Sequence, residues 1–243
     1  MDLNKKIRKF TQKFDVNYFG ISDLSLAKDF IIGQGGNILS DFQYCISIGL
    51  KLPDAIVNQL PLRSNEAVAV NYRFHAYKII NDRLDYNTSM ISSFIQELGY
   101  DVMSIPASER YDDERICAVF SHKLGAHLSG LGWIGESCLI ITPNNGPRVR
   151  WASILTDAPL QPTGKPMDEK CGDCLDCVNI CPIKAFTGRN FYPNESREMR
   201  YNAQLCNDYF VAMTKKGQLP VCGMCLYVCP YGKKKSGDNV FKK

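Results

Sequence analysis

Two runs of cysteine in the last third of the chain have the spacing of iron–sulfur ligands. The first run, CxxCxxCxxxCP, consists of Cys171, Cys174, Cys177 and Cys181 followed by Pro182. In such a run three closely spaced thiolates hold one [4Fe–4S] cube and the fourth reaches a second cluster. The second run repeats the end of the first with identical spacing, at Cys222, Cys225, Cys229 and Pro230.

Counting ligands adds one cysteine outside the two runs. In the second run the position that matches Cys171 is Leu219, which cannot bind iron, and Cys206 is the only other cysteine in this part of the chain. Cross-ligation predicts one cluster on Cys171, Cys174, Cys177 and Cys229, and the other on Cys181, Cys206, Cys222 and Cys225. Zinc sites also use CxxC spacing, but they need neither the third cysteine nor the CP endings, so the pattern favours clusters over zinc.

Composition places few limits on the partner. The chain has 243 residues, 45% of them hydrophobic, and a net charge of +4, which is too mild to imply a nucleic acid or a membrane surface. The start, MDLNKKIRKFTQKF, lacks the apolar core of a secretory signal, and no stretch approaches the ~18 apolar residues of a membrane helix. We therefore expect a cytoplasmic protein without a membrane partner, and clustered cysteines that bind metal rather than form disulfides.

Apolar periodicity predicts mixed helices and strands before the cysteine runs. We expect strands near residues 44–53 and 101–106, a long helix over residues 71–98 that stops at Gly99, and a short helix over residues 121–129. The stretch CLIITPNNGPRVRWASILTDAPL predicts two strands joined by a turn-rich loop. The fold class is thus α+β, with a mixed α/β domain over residues 1–160. A cluster domain with a basic tail follows over residues 161–243.

A two-cluster ferredoxin needs only the last third of this chain, so the larger domain is expected to house the electron acceptor, as a second cofactor or a substrate pocket. No GxGxxG fingerprint or GKS/GKT loop supports a Rossmann site or a nucleotide-driven machine. The informative segment is GLGWIGES. Gly130, Gly132 and Gly135 allow close backbone approach to a flat ligand, and Trp133 offers a wide apolar face, although such a turn is more often purely structural.

The order of segments resembles the epoxyqueuosine reductase family and its short iron–sulfur relatives, which are kin to reductive dehalogenases. The resemblance lies in GLGWIG, then LIITPNNGPRVRWASILTDAPL, then the eight cysteines. It implies a nitroreductase-related, corrinoid-binding-like fold for the first domain, and two [4Fe–4S] clusters that pass electrons to a cobalamin. A low-potential donor, ferredoxin or flavodoxin, would supply the electrons, and a small organic substrate would be reduced. The corrinoid pocket would be lined by Gly130, Leu131, Gly132, Trp133 and Gly135.

Two departures from that family make tRNA a possible but not the favoured substrate. The tRNA-modifying members carry a helical-repeat domain after the clusters, whereas this sequence ends thirteen residues after Pro230. Their usual aspartate, the proposed proton donor, would fall near Ile116. We therefore expect His122 and Lys123, at the start of the short helix, to deliver protons or bind an anion. The alternative is that His122 packs against the helix and Lys123 faces water.

The three other cysteines and two arginines allow more than one role. Cys45, Cys117 and Cys138 are expected as small buried side chains, and the alternative for Cys117 is a role in the active site. Arg148 and Arg150 alternate along a strand and are expected as a surface pair, although a pocket for an acidic group is conceivable. The alternative functions are an electron-transfer or maturation protein without a second cofactor and a flavin-dependent reductase.

Overall fold

A four-stranded antiparallel sheet forms the centre of the computed structural model, which describes residues 2–193 and 195–233. Its strands lie in the order β1, β2, β6, β3. The strand bounds are β1 (Tyr18–Asp23), β2 (Tyr44–Lys51), β3 (Val102–Ile105), β4 (Trp133–Ile134), β5 (Ile140–Ile141) and β6 (Val149–Thr156). The helix bounds are α1 (Leu3–Thr11), α2 (Lys28–Gly35), α3 (Asp54–Asn58), α4 (Glu66–Tyr72), α5 (Ile80–Glu97), α6 (His122–Leu128), α7 (Asp176–Ile180), α8 (Ala203–Lys215) and α9 (Met224–Val228).

The two middle strands are buried on both faces because helices cover both sides of the sheet. On one face Ile46, Ile48 and Ile154 pack in a core cluster with Leu84 and Ile91 of α5. The alternate residues of the same strands point to the other face, where Cys45 and Leu155 belong to a second cluster. Successive strand residues face opposite sides, so a doubly covered strand is apolar along most of its length. The strands predicted near residues 44–53 and 101–106 are confirmed as β2 and β3.

The long helix on the first face starts earlier than predicted and contains a change of register. Asn65 caps α4 with its side chain, and a seven-residue π-helical stretch, Arg73–Ile79, joins α4 to α5. Phe74, at the start of this stretch, is 53% exposed and so does not lie on the buried face of the helix. The stop is as predicted, since Gly99 follows α5 with a φ of +89° that glycine adopts without strain.

The second face is covered by α6, which approaches the sheet closely. Ser121 caps this helix by accepting a hydrogen bond from the Leu124 N–H at 3.4 Å. A Cβ on Gly125 would lie 2.8 Å from both the Cys45 sulfur and the Ser47 hydroxyl oxygen. Glycine is therefore what allows α6, and with it His122 and Lys123, to lie so near the sheet.

The predicted strands at 138–160 exist, but they do not form one unit. The second is the long β6, whereas β5 pairs with β4 in a separate two-stranded hairpin. The Cys138 N–H donates to the Gly135 carbonyl at 2.8 Å within the hairpin turn, and Cys138 has a left-handed φ of +53°. A non-glycine residue in this region is strained by about 1–2 kcal/mol.

The cysteine-rich part of the chain shares the main hydrophobic core. Val221, Met224 and Leu226 belong to the same buried cluster as Leu60 and Tyr72. Before it, the Thr163 N–H donates to the Ile21 carbonyl at 2.9 Å, which holds the proline-rich stretch against β1. The boundary near residue 160 stays a prediction, and residues 234–243 of the predicted basic tail lie outside the described residues. None of the described helices has the length and apolar character needed to span a bilayer.

The close approach of α6 gives a first prediction. Gly125→Ala should destabilise the protein by about 1–3 kcal/mol, because the new methyl group overlaps Cys45 and Ser47 in a packed interface. Gly33→Ala is the matched control, since a Cβ at this position of α2 meets nothing within 4 Å. Thermal unfolding under anaerobic conditions compares the two variants with the parent. Equal melting temperatures for Gly125→Ala and the parent would contradict the predicted overlap.

Candidate iron–sulfur centre and adjoining cavity

The first set of four cysteines, which we call group one, comes from both ends of the cysteine-rich part. Cys171 and Cys174 precede α7, Cys177 lies on α7, and Cys229 follows α9. Burial, with the charges of Glu136, Cys171, Cys229 and Cys174, raises the pKa of Cys177 to about 12. The four sulfurs are therefore near enough to repel one another if ionised.

The second set, group two, is brought together around α8 and α9. It consists of Cys181, Cys206, Cys222 and Cys225. Burial raises the pKa of Cys225, and the charges of Cys222, Cys206, Cys177 and Cys181 raise it as well. Cys177 belongs to group one, so its effect on the pKa of Cys225 shows that the two groups are neighbours. The structure thus brings together the two sets that the spacing predicts, while iron ligation itself stays a prediction.

Protein N–H and O–H groups point at several of these sulfurs. The Ala185 N–H donates to the Cys181 sulfur at 3.3 Å. The backbone N–H groups of Tyr231 and Gly232 lower the pKa of Cys229 against its burial, and the Tyr201 hydroxyl does the same for Cys206. Such donors stabilise thiolate sulfur and set the reduction potential of a bound cluster.

Trp133 provides the clearest test of whether group one fits a cluster. Its indole N–H is buried without a hydrogen-bond acceptor of good geometry. The sulfur of Cys171 is its neighbour: burial raises the pKa of this thiol to about 11, and the Trp133 N–H lowers it. A neutral thiol is a poor acceptor, whereas a thiolate on iron is a good one, so the residues present fit the cluster.

A single metal ion fits these cysteines less well. No group of three or more His, Cys, Asp or Glu side chains within residues 2–193 and 195–233 could hold a metal ion. The sulfurs of each group lie within electrostatic range of one another. The spacing of the eight cysteines, with its two CP endings, favours iron–sulfur clusters over the zinc alternative.

The glycines of GLGWIG serve close packing rather than open space. A Cβ on Gly132 would lie 2.5 Å from the Ile141 carbonyl oxygen, and a Cβ on Gly130 would lie 2.8 Å from the Lys165 carbonyl oxygen. A Cβ on Gly135 would lie 3.2 Å from the Cys171 sulfur. The segment therefore joins the hairpin to group one. Of these residues, Ile134 is the one that lines the cavity described next.

A cavity of about 790 Å³ lies between α6 and the residues before α8. Its apolar wall includes Phe120, Leu128 and Ile134, and its rim carries Leu26 and Phe30, which are 67% and 46% exposed. Both predicted catalytic residues line it, and so do Cys117 and Cys138. The size and the apolar lining are typical of a small-molecule or cofactor site.

His122 is held by both ring nitrogens. Its Nδ1 lies 2.9 Å from the Ser153 hydroxyl on β6, and its Nε2 lies 3.0 Å from the Pro106 carbonyl. A neutral ring satisfies both partners when Nε2–H donates to the carbonyl and Nδ1 accepts from the hydroxyl. Burial lowers the pKa of His122 to about 4. The geometry favours the packed alternative over proton delivery for this residue.

The expectation that Arg148 and Arg150 form a surface pair changes with the structure. Arg148 is not at the surface: it is 2% exposed and pairs with Asp54 at 3.2 Å. Arg150 donates from Nε and Nη2 to the Asn81 side-chain oxygen and stacks on Tyr77. The cavity lining does not include either arginine. It does include Arg200, a lone loop arginine that no sequence motif singled out.

Comparison with known proteins supports the cluster assignment and the fold. Residues 170–232 match the family model described as a 4Fe–4S double cluster binding domain, which contains all eight cysteines. An epoxyqueuosine reductase of Listeria monocytogenes is 30% identical over 119 residues, which cover 44% of this chain and 28% of that protein.

Solved structures show the same fold over nearly the whole chain. An epoxyqueuosine reductase with a tRNA-Tyr epoxyqueuosine-modified stem loop matches with a TM-score of 0.64 at 19% identity, covering 96% of this chain and 66% of that one. A reductive dehalogenase, whose structure suggests a mechanism for B12-dependent dehalogenation, matches with a TM-score of 0.71 at 17% identity, covering 94% and 31%. The predicted fold class is confirmed, and the chain is related to epoxyqueuosine reductases. It spans less than two thirds of each of these proteins.

The buried His122 gives a prediction about pH. The fold holds the ring neutral, whereas the unfolded chain takes up a proton below about pH 6.5, so stability is lost as the pH falls from there towards 4. Between pH 7 and pH 5 the melting temperature of the parent should therefore fall by about 3 °C or more beyond that of His122→Gln. Anaerobic thermal scans at both pH values test this, with His75→Gln as the control. An equal fall in melting temperature between pH 7 and pH 5 for the parent and His122→Gln would contradict this prediction.

The indole of Trp133 gives a prediction about redox potential. Trp133→Phe should make the midpoint potential of the group-one cluster more negative, because an N–H bond to sulfur stabilises the reduced, more negative state. A difference of about 1 kcal/mol between the two oxidation states corresponds to about 40 mV for one electron. Anaerobic redox titration followed by EPR measures both clusters. The matched control is Trp151→Phe, and an equal shift in both variants, or none in Trp133→Phe, would contradict the assignment.

Proposed function

We propose that the protein is an iron–sulfur oxidoreductase of the cytoplasm in which two [4Fe–4S] clusters deliver electrons to a cobalamin in the cavity, and that this centre reduces a small organic substrate. One observation carries the proposal: the β4–β5 hairpin borders both sites. Cys138 of its turn lines the cavity, and Gly135 of the same turn lies against Cys171 of group one. An electron on the first cluster is thus one turn of backbone away from the cavity.

The position of group two supports an order for the relay. Gly223, next to Cys222, packs against Leu60 and Tyr72. Leu62, close to that contact in the chain, is 63% exposed, and the charge of Arg63 lowers the pKa of Cys222 against its burial. Because group one adjoins the hairpin that lines the cavity, we place group two on the side of an external donor and group one on the side of the cavity. Ferredoxin or flavodoxin has the low potential that such a donor needs.

The apolar lining of the cavity suits a corrinoid that it encloses in part. Exposed Leu26 and Phe30 at the rim suit the apolar face of a macrocycle too large to be fully enclosed, and Phe120 and Ile134 would exclude water from the deeper part. Cobalamin, when bound, supplies the cobalt-centred reducing chemistry, and the fold shared with a structure discussed for B12-dependent dehalogenation supports this choice. The GLGWIG residues would hold it through Ile134 and the hairpin they brace.

The chain's own residues then divide the remaining tasks. His122 fixes the start of α6 against β6 and thereby positions Lys123, the next residue. Lys123 is half-buried at the cavity wall, and burial lowers its pKa, which makes its ammonium a better proton donor than an exposed lysine. We assign proton delivery or charge neutralisation to Lys123 and positioning to His122.

Reduction of epoxyqueuosine in tRNA is the second candidate, and the sequence similarity to epoxyqueuosine reductases favours it. Against it stands Ile116, where those relatives are expected to carry an acid. The Ile116 carbonyl accepts a hydrogen bond from Arg197 at 3.0 Å, so this loop is tied to the C-terminal part instead of offering a proton. Incubating the reduced protein with epoxyqueuosine-modified tRNA distinguishes the two candidates.

Cofactor analysis tests the proposal. Anaerobically reconstituted protein should contain about eight iron and eight sulfide per chain. It should also retain about one cobalamin after gel filtration and no flavin. Cys206→Ala should lose about half of the iron, because it removes one ligand of one cube, whereas Cys45→Ala should lose none. Retention of flavin in place of cobalamin, or of neither, would overturn the cobalamin assignment. Equal iron loss in both variants would overturn the ligand assignment.

A further inference from the structure

The polar end of the cavity carries an excess of positive charge. Among the described lining residues five are basic and three are acidic: Lys28, Arg115, Lys123, Arg197 and Arg200 against Asp29, Glu195 and Glu198. Two of the acids are already paired outside or beside the cavity. Glu195 accepts from Arg189 Nε at 2.8 Å, and Glu198 accepts from Arg197 at 2.9 Å.

Three of the basic groups are also satisfied by the protein. The Lys28 ammonium donates to the Ser40 carbonyl, and Arg115 donates to the Gly33 carbonyl at 3.2 Å. Arg197 donates to the carbonyls of Ile116 and Arg115 as well as to Glu198. The basic groups whose N–H donors keep no oxygen acceptor among the described residues are therefore Lys123 and Arg200, and the carboxylate of Glu195, which Arg189 holds, lies within electrostatic range of Arg200.

Arg200 is buried, and two of its three guanidinium nitrogens make no hydrogen bond within the described residues. It is 5% exposed, its plane lies over the Phe191 ring at 4.7 Å, and its Nη1 donates to the Cys138 sulfur at 3.7 Å. The Nε is buried without any partner, and Nη2 makes no hydrogen bond within the described residues. Nε and Nη2 form the edge of a guanidinium that receives a carboxylate through two parallel hydrogen bonds.

Lys123 stands at the same end of the cavity. It lies within electrostatic range of Arg200 and of Cys138, which Arg200 also contacts. The described residues give its ammonium no ion pair and no hydrogen bond. The charges of Lys123 and Arg200 repel each other in a partly buried wall where neither makes an ion pair with the described residues, and a bound anion offsets that repulsion.

We propose that Lys123 and Arg200 form an anion subsite beside Cys138 that binds the carboxylate of a small organic substrate. The substrate role rests on the proposed function, whereas the subsite does not. A planar carboxylate accepts from Arg200 Nε and Nη2 together, while the ammonium of Lys123 neutralises its charge. The apolar walls then receive the rest of the molecule, so the substrate class is an organic acid with an apolar body.

Binding of benzoate and of its neutral isostere benzamide tests the subsite. The full chain with both clusters reconstituted is titrated calorimetrically with each probe. Benzoate should bind at least tenfold more tightly than benzamide, and Lys123→Gln and Arg200→Gln should each weaken benzoate binding by about tenfold with little effect on benzamide. Arg83→Gln, which removes an exposed arginine outside the cavity lining, should change neither affinity. If Arg200→Gln does not fold, Lys123→Gln decides alone.

A second set of titrations separates the sources of the anion. With hydroxocobalamin bound, benzoate affinity should persist, whereas its loss would show that the cofactor and the anion compete for the same place and would overturn the assignment to the substrate. Equal affinities for benzoate and benzamide in the parent would overturn the subsite itself. Protein that binds benzoate through Lys123 and Arg200 but retains no cobalamin would refute the proposed function and leave the subsite standing.

Discussion

The crowding of eight buried or half-buried thiols into two adjoining groups is the constraint on which the rest of the structure depends. Burial raises the pKa of six of them, and neighbouring thiols raise five of these six further. Without compensating positive charge, these groups could not ionise together in so small a volume. Iron supplies that charge, and the N–H groups directed at the sulfurs are already in place. The last third of the chain is therefore organised around a metal centre rather than around an apolar core of its own.

Close backbone packing connects this centre to the rest of the molecule. The glycines of GLGWIG allow the hairpin, the proline-rich stretch and group one to approach within van der Waals contact, where any side chain would overlap. The left-handed backbone conformation of Cys138 in the hairpin turn costs about 1–2 kcal/mol. Cys138 in this conformation lies at the cavity wall. A rigid joint of this kind fixes the separation between a cluster and an acceptor, and an electron relay needs such a fixed separation.

How far the sequence predicted this arrangement depended on the kind of signal. The cysteine runs carried long-range information, because their spacing implied which distant thiols meet, and ligand counting added Cys206. Periodicity located β2, β3, α6 and the end of α5. The π-helical stretch, the pairing of β5 with β4 and the burial of Arg148 could not be predicted, since each depends on tertiary contacts that leave no local pattern. Arg200 was missed for the same reason: only its burial without a partner makes it notable.

Anomalous diffraction at the iron edge from anaerobically grown crystals would locate the iron. We expect two compact iron sites, one enclosed by Cys171, Cys174, Cys177 and Cys229, and the other by Cys181, Cys206, Cys222 and Cys225, with the first site nearer to Gly135 and the cavity. A single iron site, or a site whose ligands are drawn from both sets, would contradict this expectation.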